Sequence, residues 1–299
     1  MENITVVILT YKTPKKIIID CLNSISKNIK ILLVENSEKY INSEEILLEH
    51  NNVNIVCTGK NLGYGGGNNF GIKSVTTDYV LILNPDVICD KDFFNNISNV
   101  IEKAKDFSII GCQYIHDKTF MPAGFFNSKI NKDFVNHFKN NHIEELTKVD
   151  WVTGCSLLIN LNKFENKKIF DENFFLYFEE FDLCMSLKNK GEKVYSSKKL
   201  KVHHLGLKSS LDENSSNEKS INRLREWHWM WSTFYFYRKN YNYFYALNKI
   251  FGKFIKAFFK SIFFSLTFNR NEKEKYKYRF LGILSGILNK PSNFRDNNN

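Results

Sequence analysis

The 299-residue sequence predicts an α/β fold: a mostly parallel central sheet with a C-terminal helical extension. Three observations predict it. Apolar runs of strand length alternate with segments whose apolar residues recur at helical spacing. Polar clusters follow the strand-like runs, where an open parallel sheet binds its ligands. The last fifth of the chain is basic and aromatic, with lysines every three or four residues.

The elements follow in order. Ile4 to Leu9 is a continuous aliphatic run, the pattern of a strand buried on both faces. Thr13-Pro14 then offers an N-cap and a proline at the first helical position, with Ile18, Cys21, Leu22 and Ile25 at helical spacing behind it. Further strands are expected over Ile29 to Val34, Val53 to Cys57, Tyr79 to Leu83 and Phe107 to Ile110. A helix marked by Phe94, Ile97, Ile101 and Ala104 precedes the last of these. The strands run into Thr10-Tyr11, Glu35-Asn36-Ser37, Gly59-Lys60-Asn61 and Asn84-Pro85-Asp86, four polar clusters at one sheet edge. Each is also ordinary turn chemistry; their coincidence points to a site.

The glycine-rich stretch Gly63 to Asn69 is neither a dinucleotide fingerprint, which would follow the first strand, nor a P-loop, since Gly71-Ile-Lys-Ser74 lacks the upstream glycine. It is expected to be a loop entering a helix, its backbone open to close approach by a diphosphate.

Composition narrows the class. Hydrophobic residues make up 43% and prolines number 4, which argues against extensive disorder. The six cysteines are scattered singly, with no CxxC pair, as buried hydrophobes of a reducing compartment are. The N-terminus shows no basic n-region or cleavage site, so a cytoplasmic start is expected. Formal net charge is +10, and residues 241–299 hold 11 Lys/Arg against 3 acids. Such a tail points to nucleic acid or an anionic membrane. No nucleic-acid-reading motif accompanies it, whereas Phe244 to Phe268 interleaves Lys249, Lys253, Lys256 and Lys260 with aromatics, one face cationic and the other aromatic. Nucleic acid is therefore not the expected partner; a helix lying in the headgroup plane is, with packing in a bundle or a homodimer as the plain alternative.

Phe170 to Cys184 carries the chemistry, because Glu179, Glu180 and Asp182 stand where an aromatic-rich segment turns into a helix. A helix starting near Phe178 puts Glu180 on the face of Leu183, Cys184 and Leu187, so it is expected to point inward. A carboxylate held against apolar neighbours has its charged form disfavoured, which suits a general base. Glu179 and Asp182 are expected on a more polar face with Ser186. The plain alternative is that acids simply favour a helix N-terminus.

Val7 to Tyr11, Val34 to Ser37, Asn61 to Asn68, Leu83 to Asp86, Gly154 to Ser156, Phe170 to Cys184 and His203 to Gly206 together resemble, in order, the family 2 inverting glycosyltransferases of the GT-A fold, in particular the rhamnosyltransferase-like branch. The resemblance implies a GT-A catalytic domain over 1–210; beyond it, polarity, spacing and charge mark a linker and packing helix over 211–240 and a basic amphipathic helical tail over 241–299. It implies that Thr10, Tyr11, Glu35, Asn61, Gly63, Asn84 and Asp86 bind a nucleotide-sugar donor, and that Trp151, Gly154 and Cys155 line the acceptor side. Asp86 and His204 would hold a divalent metal, Mn²⁺ or Mg²⁺, and Glu180 would be the catalytic base, with Glu179 and Asp182 as supporting acids. The sequence departs from the family in Glu35, Asn84 and Glu180, where many relatives carry Asp. The implied activity is transfer of a sugar, dTDP-rhamnose leading as donor, to a lipid-linked or polysaccharide acceptor in bacterial surface glycan synthesis. The implied place is the inner face of the cytoplasmic membrane. A UDP- or GDP-sugar donor, or a non-catalytic nucleotide-sugar-binding scaffold, are the alternatives. Ser209 to Asn217 is polar and expected to be a lid or linker. Ile221, Leu224, His228, Trp231 and Tyr235 form a helical stripe expected to pack on the catalytic core.

Overall fold

The computed structural model describes residues 3–38, 43–114, 122–139, 144–205 and 215–295. Gly206, the 210/211 boundary and most of the expected lid therefore lie outside the described residues. In chain order the elements are β1 (Ile4–Thr10), α1 (Lys15–Asn23), β2 (Lys30–Glu35), α2 (Ser43–Glu49), β3 (Val53–Cys57), α3 (Gly63–Ile72), β4 (Tyr79–Leu83), β5 (Val87–Cys89) and α4 (Phe93–Ala104). They continue with β6 (Ile109–Tyr114), β7 (Ala123–Gly124), α5 (Ser128–Lys139), β8 (Leu146–Val149), β9 (Trp151–Val152), β10 (Ser156–Asn160), α6 (Glu179–Asn189), β11 (Val194–His204), α7 (Ser215–Asn240), α8 (Tyr243–Leu266) and α9 (Arg270–Ile287).

The chain divides into two compact units. One comprises residues 1–62, 66–170 and 183–211; the other comprises 63–65, 171–182 and 212–299. The first is built on a sheet ordered β3-β2-β1-β4-β10-β6-β11-β5, with β8 paired to β11. β3, β2, β1 and β4 are mutually parallel, as are β6 and β11; β10 runs antiparallel between β4 and β6, and β5 and β8 are antiparallel to β11. The chain winds outward from β1 to β3 and then returns to place β4 on the other side of β1. That reversal is the topological switch point at which a wound sheet opens a ligand crevice. Register aligns Thr10 with Glu35, Glu35 with Cys57 and Ile8 with Leu83, so the predicted polar clusters share one edge.

Two local expectations are corrected. α1 starts at Lys15, with Pro14 in the cap position at ψ 134° and no side-chain cap bond. Thr13 Oγ1, one residue before the cap position, accepts the Tyr11 N–H at 3.4 Å. The glycine stretch is not a loop before a helix, because α3 begins at Gly63 itself. Its glycines serve close packing: a Cβ on Gly71 would lie 2.5 Å from Val34 Cγ2 and 3.3 Å from Val7 Cγ1. A helix that rests directly on a β-branched sheet surface needs such gaps.

The second unit is helical, with α7, α8 and α9 packed pairwise around Met230, Phe234, Ala246, Ile250 and Ile283. Within it His228 and Trp231 of the predicted stripe are buried, while Ile221, Leu224 and Tyr235 are half-buried.

Candidate active site

At the carboxyl edge of the first unit, Thr10 and Glu35 are both 1% exposed and meet directly. Thr10 Oγ1 donates to Glu35 Oε2 at 2.6 Å; the Lys12 N–H and Ser37 Oγ donate to Oε1 at 3.3 and 2.7 Å. A carboxylate offers about four acceptor positions. Glu35 therefore spends most of its capacity fixing the loops after β1 and β2, and Tyr11 is carried half-buried on the loop so fixed.

The next layer is organised by Asn36, a residue that motif spacing did not single out. Its buried amide donates to Asn61 Oδ1 at 3.1 Å and accepts from the Leu62 N–H at 2.9 Å and Thr58 Oγ1 at 3.2 Å, setting the turn into α3. Asn69 was missed likewise. Fully buried on α3, it accepts the Ile169 and Phe170 N–H groups at 3.1 and 3.0 Å and donates to the Phe170 carbonyl at 2.9 Å. A buried amide satisfied by backbone on both sides pins the strand of chain that leads toward the acids. The only sequence signal was a pair of amides inside a glycine-rich run.

Asp86 follows β4 and is 1% exposed, and its Oδ1 has no hydrogen-bond partner. That oxygen lies 3.5 Å from Nε2 of His204, which pairing of β11 with β5 places opposite Val87. A buried carboxylate oxygen left without a bond, beside an imidazole with partial solvent access, fits half of a divalent-cation site. Among the described residues no cluster of three or more His, Cys, Asp or Glu side chains is present. Two protein ligands are what a site needs when substrate phosphates complete the shell. The same charge acts on Cys21, whose thiol is pushed up to about 12 by burial and then by Asp86.

Of the acceptor-side residues, Cys155 is tied to this edge, its carbonyl accepting the Asn84 N–H at 2.9 Å. Gly154 is half-buried beside it. Trp151 belongs to a separate two-stranded ladder, paired with Gly124, and its indole covers that glycine.

The acids belong to the second unit. Two bulky residues, Tyr177 and Phe178, take φ of 71° and 72° immediately before α6, a left-handed pair that costs about 1–3 kcal/mol per residue. α7 holds them there. Ser232 Oγ donates to the Leu176 carbonyl at 2.9 Å, the Tyr177 ring meets Trp229 edge-on at 5.1 Å, and Phe178 packs on Trp229 and Phe236 at 5.6 and 5.4 Å. Gly63, at φ +78°, belongs to the same arrangement, since Phe175 O receives the Tyr64 N–H at 2.9 Å and leaves no room for a Cβ.

The facing expected for the acids is corrected. Glu179 and Asp182 are the buried ones, at 2% and 3% exposure, and Glu180 is half-exposed. Asp182 sits on no solvated face: Oδ2 is 2.5 Å from Lys239 Nζ, and Oδ1 accepts from Asn240 Nδ2 at 2.9 Å. Lys239 also binds Asp171 at 2.7 Å. Burial works to raise the Asp171 pKa, but the bonds from Lys239 and Asn173 bring it below the usual carboxylate range. Glu179 Oε1 has no partner, and burial, then the neighbouring Glu180 charge, holds its carboxyl well above the ordinary range. Three nearby acids thus occupy three environments: one paired with lysine, one buried where its neutral form is favoured, one with partial access to solvent.

Comparison with known proteins gives the family and the fold. The model of glycosyl transferase family 2 matches residues 5–166. Low-salt glycan biosynthesis hexosyltransferase Agl10 of Haloferax volcanii is 26% identical over 196 residues, 62% of this chain and 61% of that protein. The match thus spans about three fifths of that relative. Rhamnosyltransferase WbbL of Escherichia coli is 25% identical over 197 residues, 60% of this chain and 74% of that protein. Among solved structures, mannosyltransferase PcManGT from Pyrobaculum calidifontis, in complex with GDP-Man and Mn²⁺, superposes with TM-score 0.55 at 11% identity, covering 96% of this chain and 88% of that one. The likeness is one of fold, and the fold is GT-A, as expected from the motifs.

Proposed function

This chain belongs to glycosyl transferase family 2, and from that premise we propose that it is an inverting glycosyltransferase moving rhamnose from dTDP-rhamnose to a lipid-linked or polysaccharide acceptor of a bacterial surface glycan. WbbL, a rhamnosyltransferase, supports the sugar, and Agl10, a glycan-biosynthesis hexosyltransferase, supports the acceptor class. Work on a lipid-linked acceptor sets the enzyme at the inner face of the cytoplasmic membrane.

The unequal environment of the three acids carries the reading. A general base must be ionised and within reach of a substrate hydroxyl. Glu179 is buried, and burial favours its neutral form, while Asp182 is bound by Lys239 and Asn240. Glu180 keeps the solvent access that a base needs. Its carboxylate takes the proton of the acceptor hydroxyl as that oxygen attacks the anomeric carbon, the bond to the nucleoside diphosphate breaks on the opposite face, and configuration inverts. Thr10, Tyr11, Glu35 and Asn61, on the 1–210 catalytic domain, hold the donor's nucleoside. A divalent ion, Mn²⁺ or Mg²⁺, held by Asp86 and His204, would offset the charge of the leaving diphosphate.

A thermal-shift panel of dTDP-rhamnose, UDP-sugars and GDP-sugars with and without Mn²⁺ tests the donor, since a ligand of the folded state raises its melting temperature. Wild type and Glu180→Gln are expected to show the same Mn²⁺-dependent stabilisation by dTDP-rhamnose, with turnover of the variant lowered by about 10² to 10⁴. Asp86→Ala is expected to lose the Mn²⁺-dependent part. Stabilisation by a UDP- or GDP-sugar alone replaces the donor. Full activity of Glu180→Gln removes the base assignment, and absence of any nucleotide-sugar binding favours a scaffold.

A further inference from the structure

α8 has three longitudinal faces rather than two. Ala246, Ile250 and Ala257, at i, i+4 and i+11, are buried in the helical unit. Lys249, Lys253, Lys256 and Lys260, at i, i+4, i+7 and i+11, form a second line. Phe244, Phe251, Ile255, Ile262 and Leu266, at i, i+7, i+11, i+18 and i+22, form a third that is exposed, at 38% to 80%. Phe259 and Phe263, 62% and 57% exposed, fill the sector between this ridge and the lysines. The expectation of one cationic and one aromatic face is thereby refined: aromatics also line the packed side, where Phe254 stacks on Phe280 and Phe264 on Tyr276, and a further apolar line is left outward.

A monomer in water seldom leaves so continuous an apolar strip uncovered. We propose that this ridge is the docking surface for an anionic bilayer, α8 lying in the headgroup plane with its phenylalanines in the acyl boundary and its lysine line among the lipid phosphates. Charge decides between the occupants. α8 carries four lysines and no acid. A second copy seated on the ridge would leave the lysine line at the flank of the apolar strip with no carboxylate of α8 to meet it, whereas anionic headgroups at that flank neutralise it. No helix among the described residues is long and apolar enough to cross a membrane, so an in-plane seat is the one this geometry fits. The proposal rests on the glycosyltransferase reading only for its purpose, holding the enzyme beside a lipid-linked acceptor.

Flotation of the full chain on phosphatidylglycerol/phosphatidylcholine vesicles, without donor or acceptor, tests it. Wild type is expected to float with the anionic vesicles and poorly with phosphatidylcholine alone. The triple variant F251S/I262S/L266S changes only exposed side chains, so its melting temperature should hold while its partition falls by at least about ten-fold. K249Q/K253Q/K256Q should lose binding to anionic vesicles and not to neutral ones. Undiminished flotation of the serine variant overturns the proposal, as does a wild type that does not float and sediments as a dimer that the serine variant dissolves. Because no turnover is measured, failure here leaves the donor-binding result standing, and the converse also holds.

Discussion

Glu179, Glu180 and Asp182 differ in what surrounds them far more than in what they are. Helical spacing brought all three into view, and the same spacing misassigned their burial, because the partner of Asp182 is Lys239, 57 residues onward in the sequence. Local periodicity carries no record of a distant cation. The placing of Glu35 and Asp86 at strand ends was legible from the runs before them, while Asn36 and Asn69, which orient the loops through backbone bonds, resembled ordinary turn residues. The buried Glu179 has a measurable consequence. Its folded-state pKa is raised, so above the unfolded value of about 4.5 the unfolded chain releases a proton that the folded chain retains, and stability falls as pH rises. Glu179→Gln keeps the shape and removes the titration. The variant's gain in melting temperature over wild type should therefore widen as pH rises through the range above about 4.5. A difference that stays flat across that window means Glu179 is not held protonated.

At the scale of elements, the strands and helices of the first half were legible because burial on both faces leaves an unbroken aliphatic run and one-sided burial leaves a helical stripe. The three-residue β5 and two-residue β7 and β9 are too short to leave either signature. α3 was hidden by its own glycines, which lower helix propensity while permitting contact with the sheet. Two opposing terms set the outcome of Gly71→Ala. Alanine favours a helix by about 1 kcal/mol, and overpacking a close contact costs about 1–3 kcal/mol. Val34 and Val7, the atoms met, are fully buried and rotamerically stiff, so the clash should prevail. The urea midpoint is expected to fall by the equivalent of up to about 2 kcal/mol with an unchanged slope; a rise in midpoint would show that α3 shifts freely on β1 and β2.

For the molecule as a whole, alternation and strand-end polarity were enough to place a wound sheet, but not the antiparallel insertion of β10 or the grouping of residues 171–182 with 212–299. Those depend on pairings between segments far apart in sequence. Charge is a global property with a local weak point. The chain carries +10 at neutral pH, so acidification adds charge to a molecule already in excess. His228 is buried in α7 between the Phe294 carbonyl at 3.0 Å and Ser292 Oγ at 3.1 Å, and burial pushes its imidazole down to about 3. With a folded pKa below the unfolded value of about 6.5, the unfolded chain binds the extra proton between those two values. The stability His228 contributes is therefore complete above about pH 6.5 and is lost as pH falls toward 3. Between about pH 7 and about pH 5 that loss amounts to about 2 kcal/mol. His228→Gln retains an amide able to serve both partners and does not titrate. Its unfolding free energy should decline less than that of wild type over the same window by about that amount, whatever the carboxylates add in common. Parallel declines of the two proteins would mean that His228 protonates without unfolding its surroundings, and that the acid sensitivity of the helical unit comes from carboxylates such as the lysine-paired Asp171 instead.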